Sequence, residues 1–197
     1  PKFRKELNLD SVKSFTKLGY VPSPSSIFKN ITKQKPGTIC KIYLNEKKFE
    51  SSEYWNVNTF YNLRENEISY EESKNELKRL LISACNYRLV SDVPVGVFLS
   101  GGYDSTLVTS ILQSGSSEKI KTFTIGINDP RINESLFAKE ISNILGTDHT
   151  EIYLDENEMF EQLCNYSFYY DEPFGDASAI PTMLVSQIAK NDVKVAL

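Results

Sequence analysis

Few bulk features of this chain are extreme enough to suggest a role, and the absences narrow the field first. No apolar run approaches the roughly 20 residues needed to cross a bilayer, so a membrane-spanning role is not expected. The opening residues Pro1-Lys2-Phe3-Arg4-Lys5 lack the apolar core of a signal peptide, and the expected compartment is the cytoplasm. Basic residues are not in excess: 22 Lys and Arg stand against 26 Asp and Glu, a net charge of −4. That balance gives no reason to expect nucleic acid or an anionic membrane as a partner. The three cysteines, Cys40, Cys85 and Cys164, are scattered and form no Cys-x-x-Cys pair. A zinc site or a redox dithiol is therefore not expected, and structural thiols in a reducing compartment are the plainer reading. The single histidine, His149, excludes a multi-histidine metal site and leaves a Ser-His-Asp triad without a surrounding motif. No internal repeat and no low-complexity tract occurs.

The 197 residues suffice for one good domain or one domain with part of another. At 40% hydrophobic and 24% charged, the composition is that of an ordinary globular protein. The first stretch is irregular. A short helix is expected over Glu6 to Leu18, then the Pro/Ser-rich segment Gly19 to Ser26, a strand over Thr38 to Leu44, a hairpin turn at Asn45-Glu46-Lys47-Lys48 and a polar linker from Asn56 to Asn66. This region holds too few apolar residues for a core of its own. From Ser69 the pattern becomes regular. Leu77, Leu80, Leu81, Ala84 and Leu89 predict an amphipathic helix from Ser69 to Val90. Strands are expected at Val95 to Leu99, Ile120 to Ile127, His149 to Leu154 and Val193 to Leu197. They alternate with helices after Ser105, over Glu134 to Leu145 (with Phe137, Ile141, Ile144 and Leu145 on one side), over Glu156 to Tyr169 and over Ala179 to Lys190. Such alternation predicts an α/β fold, a parallel sheet with helices on both faces. Ligands of such sheets bind outside the carboxyl ends of the strands. Residues Gly126 to Arg131 and Asp171 to Asp176 are expected at that edge.

The most informative segment, Ser100-Gly101-Gly102-Tyr103-Asp104-Ser105, joins the first of these strands to its helix. Glycines let backbone N–H groups approach an anion, and a helix start leaves N–H donors unpaired. The serines add hydroxyls. Asp104 would repel phosphate unless a cation lay between them, which suggests Mg²⁺. The segment is not a Gly-x-x-x-x-Gly-Lys-Ser/Thr loop. The competing reading, a plain Gly-Gly turn, does not account for both serines and the aspartate.

This segment resembles the Ser-Gly-Gly-x-Asp-Ser loop of the ATP pyrophosphatases. Ser91-Asp92-Val93-Pro94-Val95-Gly96-Val97, Thr122-Phe123-Thr124-Ile125-Gly126, Asn133-Glu134-Ser135 with Ala138, Leu145-Gly146-Thr147-Asp148-His149 and the run from Asp171 to Thr182 resemble the glutamine-dependent asparagine synthetases within that group. Gly19-Tyr20-Val21-Pro22-Ser23-Pro24 and Lys35-Pro36-Gly37 resemble the end of that family's glutaminase domain. The resemblance implies an adenine nucleotide alpha hydrolase-like domain preceded by the β-rich tail of a glutaminase domain, divided as 1–58, a linker 59–68 and 69–197. It implies ATP and Mg²⁺, a carboxylate substrate converted through an acyl adenylate with release of AMP and pyrophosphate, and ammonia from a glutaminase domain. L-Aspartate to L-asparagine with glutamine as donor leads. A sugar carboxylate in surface polysaccharide synthesis and a non-catalytic ATP-binding fragment are the alternatives. The family's cysteine nucleophile has no counterpart at Pro1, and its second Mg²⁺ carboxylate is expected beyond Leu197. The chain is therefore expected to be a fragment, inactive alone.

On this resemblance Ser100, Gly101, Gly102 and Ser105 hold the future pyrophosphate, and Asp104 binds Mg²⁺. Leu99 and Ile125 flank the adenine or serve only as strand core. Asp176 and Ser178 contact substrate or cap the next helix. Asp171 and Glu172 act in the site or are solvated loop charges, the second being favoured, while Tyr103 reads as a packing residue and His149 as structural. Homo-oligomer formation stays open.

Overall fold

The computed structural model describes residues 4–61, 68–127 and 133–197, which fall into two units. The first comprises the described residues of 1–67 together with 167–176. Its helix α1 (Leu9–Leu18) begins three residues later than the helical pattern suggests, because Asn8 accepts hydrogen bonds from the N–H groups of Asp10 and Ser11 and caps it there. Strands β1 (Thr38–Tyr43) and β2 (Lys48–Glu53) form an antiparallel hairpin with Tyr43 opposite Lys48. A short helix, α2 (Asn58–Tyr61), occupies the start of the segment read as linker, and the rest of that segment to residue 67 lies outside the described residues. Val21 and Ile27 are the buried hydrophobics of this unit among the described residues, in keeping with its sparse apolar content.

The segment 167–176 is anchored within this first unit. The Gly175 N–H donates to the Gly19 carbonyl at 2.7 Å, and the Glu172 carboxylate accepts from the Ile27 N–H at 3.1 Å while pairing with Lys33. Glu172 is thus a half-buried structural anchor, not the solvated loop charge its sequence context implied. Local pattern could not show this, because its partners lie about 140 residues away in the chain, as the separation of 145 from Ile27 illustrates.

The second unit carries the sheet. Helix α3 (Tyr70–Leu89) opens with a reciprocal cap between Ser69 and Glu72. Strand β3 (Val95–Phe98), helix α4 (Tyr103–Ser114), strand β4 (Lys121–Ile127), helix α5 (Ser135–Leu145), strand β5 (Asp148–Leu154), helix α6 (Glu156–Tyr169), helix α7 (Ala179–Ala189) and strand β6 (Val195–Ala196) follow. Residues 167–169 of α6 count with the first unit. All strand pairings in the sheet are parallel and the order is β5-β4-β3-β6. The chain moves outward from β3 through β4 to β5, then returns to the other side of β3. That reversal makes the carboxyl end of β3 the switch point where such sheets hold ligands.

Adjacent residues of β3 point to opposite faces. Val97 packs with Cys85, Leu112 and Ile120, which places α3 and α4 on one face. Phe98 packs against Phe123, Ala189 and Val193, which places α7 on the other. Helices therefore cover both faces, as expected. Helix α5 departs from expectation: it buries Ser135, Ala138 and Ser142, while Phe137 is 62% and Ile144 76% exposed. Small residues let it lie close to the sheet, and hydrogen bonding replaces apolar contact there. Among the described residues no helix is long and apolar enough to cross a membrane.

Candidate functional site

The site begins where β3 ends. Leu99 continues the strand's pairing by donating its N–H to the Phe123 carbonyl at 2.9 Å. The chain then turns through Gly101 at φ +82, a left-handed conformation that an L-residue adopts at a cost. A Cβ at that position would also lie 3.0 Å from the Ala138 nitrogen and the Phe137 Cβ, and 3.1 Å from the Glu134 carbonyl. Backbone conformation and close approach to the start of α5 thus both require glycine at 101.

The two serines knit the loop. The Ser100 N–H donates to Ser105 Oγ at 3.2 Å, and the two hydroxyls lie 2.9 Å apart. Gly102 N–H donates to Ser100 Oγ at 3.3 Å, and Ser105 Oγ donates to the Gly102 carbonyl at 3.2 Å. The hydroxyls therefore shape the turn. A bound anion would have to draw one of them away. Helix α4 begins at Gly102 with no side-chain cap. Its first-turn N–H groups are left without a side-chain acceptor, which is the arrangement that attracts phosphate.

Beside the loop lies an open cavity of about 280 Å³. Its lining includes Leu99 and Ser100 after β3, Ile125 and Ile127 of β4, Glu134 before α5, and Ser178 with Thr182 at the start of α7. Four of the residues singled out from sequence, Leu99, Ser100, Ile125 and Ser178, therefore share one cavity. Leu99 is 1% exposed, so it forms the floor of the cavity and part of the core together. Ser178 stands at the N-terminus of α7 but makes no side-chain cap bond. Asp176 belongs to the first unit. Asp104 is exposed in the first turn of α4. Tyr103, expected to pack, is 97% exposed: it stands at a helix start that faces outward. Ile127 falls within the segment 126–131 expected at this edge, whereas Glu134 and Thr182, though in stretches that carry the resemblance, were given no role in the site. Residues 128–131, expected at the same edge, lie outside the described residues.

The residues present suit a nucleotide. The cavity is at the lower end of ligand-pocket sizes, roughly 300 Å³ and upward, and matches a nucleoside more than a whole nucleotide. Phosphates would lie on the adjoining loop, against uncapped N–H donors and a glycine at a position where any side chain is strained. Among the described residues no three His, Cys, Asp or Glu side chains gather to cage a metal. A lone Asp104 suits Mg²⁺, which takes one or two carboxylates and completes its shell with phosphate oxygens and water. A larger cavity, about 990 Å³, lies in the first unit around Tyr20, Tyr170, Phe174 and the Lys33–Glu172 pair, and holds none of the loop residues.

His149 does not line the cavity beside the loop. Its Nδ1 lies 2.8 Å from the Thr122 hydroxyl, which also meets the Thr147 hydroxyl at 2.9 Å. Burial pushes its pKa below the usual 6.5, with Lys139 adding to this and Glu151 opposing it. Glu151 beside it is held below the ordinary carboxylate range. Burial pushes its carboxyl up, and the neighbouring Lys139, Ser135 and Tyr153 together outweigh that effect.

Fold and loop together define a class, a parallel α/β protein with a glycine-turned, serine-knitted loop at the switch point of its sheet. Residues 76–197 match the family model described as Asparagine synthase, and the chain belongs to that family. It is 34% identical over 195 residues to a protein of Methanocaldococcus jannaschii provisionally named asparagine synthetase (glutamine-hydrolyzing) 2, covering 98% of this chain and 37% of that one. It is 28% identical to asparagine synthetase (glutamine-hydrolyzing) 1 of Bacillus subtilis, over 98% of this chain and 29% of that one. The chain thus spans about a third of the length of these relatives. Among solved structures, NMN synthetase from Francisella tularensis aligns with a TM-score of 0.41 at 17% identity, over 66% of this chain and 54% of that one. The family assignment stands on the sequence matches alone.

Proposed function

We propose that the loop 100–105 and the adjoining cavity bind ATP, as a co-substrate, for activation of a carboxylate, and that the chain is part of a glutamine-dependent amide-forming ligase. The observation that carries this reading is the uncapped start of α4 behind a serine-knitted Gly101-Gly102 turn at the switch point of the sheet. Ser100, Gly101, Gly102 and Ser105 would cradle the two outer phosphates, the pyrophosphate to be released. Preorganised donors aimed at charge that grows on a leaving group are worth most in such a site. Leu99 and Ile125 would flank the base. Asp104 would hold Mg²⁺, whose charge, when bound, offsets the repulsion between carboxylate and phosphates. Ser178 lies where it could meet the substrate being activated. Asp176, the other candidate for that contact, has to be tested separately.

No protein nucleophile is required, because the substrate carboxylate itself attacks phosphorus and ammonia then displaces AMP. The acceptor we propose is L-aspartate, with glutamine as nitrogen donor and residues 1–58 as the tail of a glutaminase domain. The names of the two relatives motivate these finer assignments. The test is release of pyrophosphate by the full-length protein of which this chain is part, supplied with ATP, Mg²⁺, ammonia and a panel of carboxylates. Release that depends on aspartate supports the reading. Release with a sugar carboxylate instead moves the acceptor and keeps the chemistry. ATP binding with no pyrophosphate from any carboxylate overturns the ligase assignment.

A further inference from the structure

The wall on which the loop leans is itself held from behind by a polar seam. His149, Glu151 and Tyr153 share one side of β5 and stand opposite Thr122, Thr124 and Gly126 of β4. Helix α5 covers them with Ser135 and Ala138, both fully buried, and with Ser142. Glu151 has a side chain only 10% exposed. One of its oxygens lies 3.1 Å from Lys139 Nζ, and the other is buried without a hydrogen-bond partner among the described residues. Ser135 Oγ donates to the Tyr153 hydroxyl at 3.0 Å. The Tyr153 ring lies so close over β4 that a Cβ at Gly126 would come within 2.6 Å of it and within 2.9 Å of Ser135 Oγ. Strand end, ring and first residue of α5 are therefore locked together.

A carboxylate buried this deeply costs more than an apolar side chain of the same volume would. Its pairing with Lys139 offsets that cost, and the placement of its neighbours is what bears on the loop. Ser135 and Lys139 sit on the first turns of α5, and those turns present the Glu134 carbonyl, Phe137 Cβ and Ala138 nitrogen to Gly101. We infer that Glu151 is a positioning residue for the loop 100–105, acting through Lys139 and the Ser135–Tyr153 pair to fix the start of α5 against Gly101. Its consequence for nucleotide affinity rests on the function proposed above.

The test uses Glu151→Gln, which keeps shape and removes charge, and reads backbone hydrogen exchange in the ligand-free protein beside pyrophosphate affinity. Exchange should quicken at least threefold or so in both 133–139 and 100–105, with α3 unchanged. Pyrophosphate should bind about tenfold more weakly. Lys139→Met, a change at the exposed end of the pair, should give the same pattern and serves where Glu151→Gln does not fold. Glu151→Asp should restore part of the affinity. Loosening of 133–139 with 100–105 at its wild-type rate overturns the inference, because α5 would then move without carrying the loop. So does unchanged exchange in both segments. Should the wild-type protein bind no pyrophosphate while 100–105 responds to Glu151→Gln, the positioning role stands and the nucleotide reading fails. Should it bind pyrophosphate with loop and affinity indifferent to Glu151, the reverse holds.

Discussion

Two helix starts in the second unit are built in opposite ways. At α3, Ser69 accepts from the Glu72 N–H while the Glu72 carboxylate accepts from the Ser69 N–H, so the end is closed by its own side chains. Helix α6 repeats the device with Asp155 and Glu158. At α4 the cap position is Gly102, which has no side chain to offer, and Ser100 and Ser105 bond each other and the turn instead. Where a helix has only to be stable, the sequence supplies an internal acceptor. At α4, just after the switch-point loop, the cap position offers no acceptor, which is the arrangement the proposed anion site needs.

The change expected to break this contrast most severely is Gly101→Ala. The left-handed backbone alone should cost about 1–2 kcal/mol, and contact with the backbone of α5 should displace the loop as well. Pyrophosphate affinity should fall by more than about tenfold, measured by titration calorimetry beside a thermal melt. Next comes Asp104→Ala, which leaves the loop's bonds in place. Affinity for ATP·Mg²⁺ should drop on the order of tenfold or more, with little change in melting temperature. Unchanged affinity for ATP·Mg²⁺ would show that the metal role given to Asp104 is wrong.

Ser69→Ala is the converse experiment. Loss of the cap should lower stability by about 1 kcal/mol and leave nucleotide affinity alone, so a denaturant melt and a titration separate the two kinds of helix start. The smallest effect is one of pH. Hydrogen bonds from Ser69 hold the Glu72 carboxyl below its ordinary 4.5. Its contribution is thus present above pH 4.5 and lost as pH falls through the lowered value. Hydrogen exchange at the start of α3 should quicken over that acid range. The start of α4 contains no reciprocal carboxylate bond and should not show this dependence.

The alternation of strands and helices after residue 90, and the loop at its first junction, were legible because period and turn chemistry are local properties. The cavity was half legible. Leu99, Ser100, Ile125 and Ser178 were marked by motif and by the strand-end rule, whereas Glu134 and Thr182 are brought there by tertiary packing alone. Helix α5 misled because an apolar pattern was read as its buried face, while the sheet beneath it carries Thr122, His149 and Glu151 and takes small polar residues. The return of 167–176 to the first unit could not be seen, since Glu172 finds Ile27 and Lys33 only once the chain has folded. The capping of α1 by Asn8 was available in the sequence, because an Asn before an acidic first turn is a start signal.

The central claim is that the open start of α4 binds the outer phosphates of ATP. Its most direct test is a pyrophosphate titration, with Mg²⁺ present, followed through the backbone amide resonances of the protein. The account predicts saturable shifts concentrated at residues 101–105 and no comparable shift at residues 69–73, the capped start of α3. Saturable binding that leaves 101–105 unmoved, or no binding by a folded protein, would contradict it.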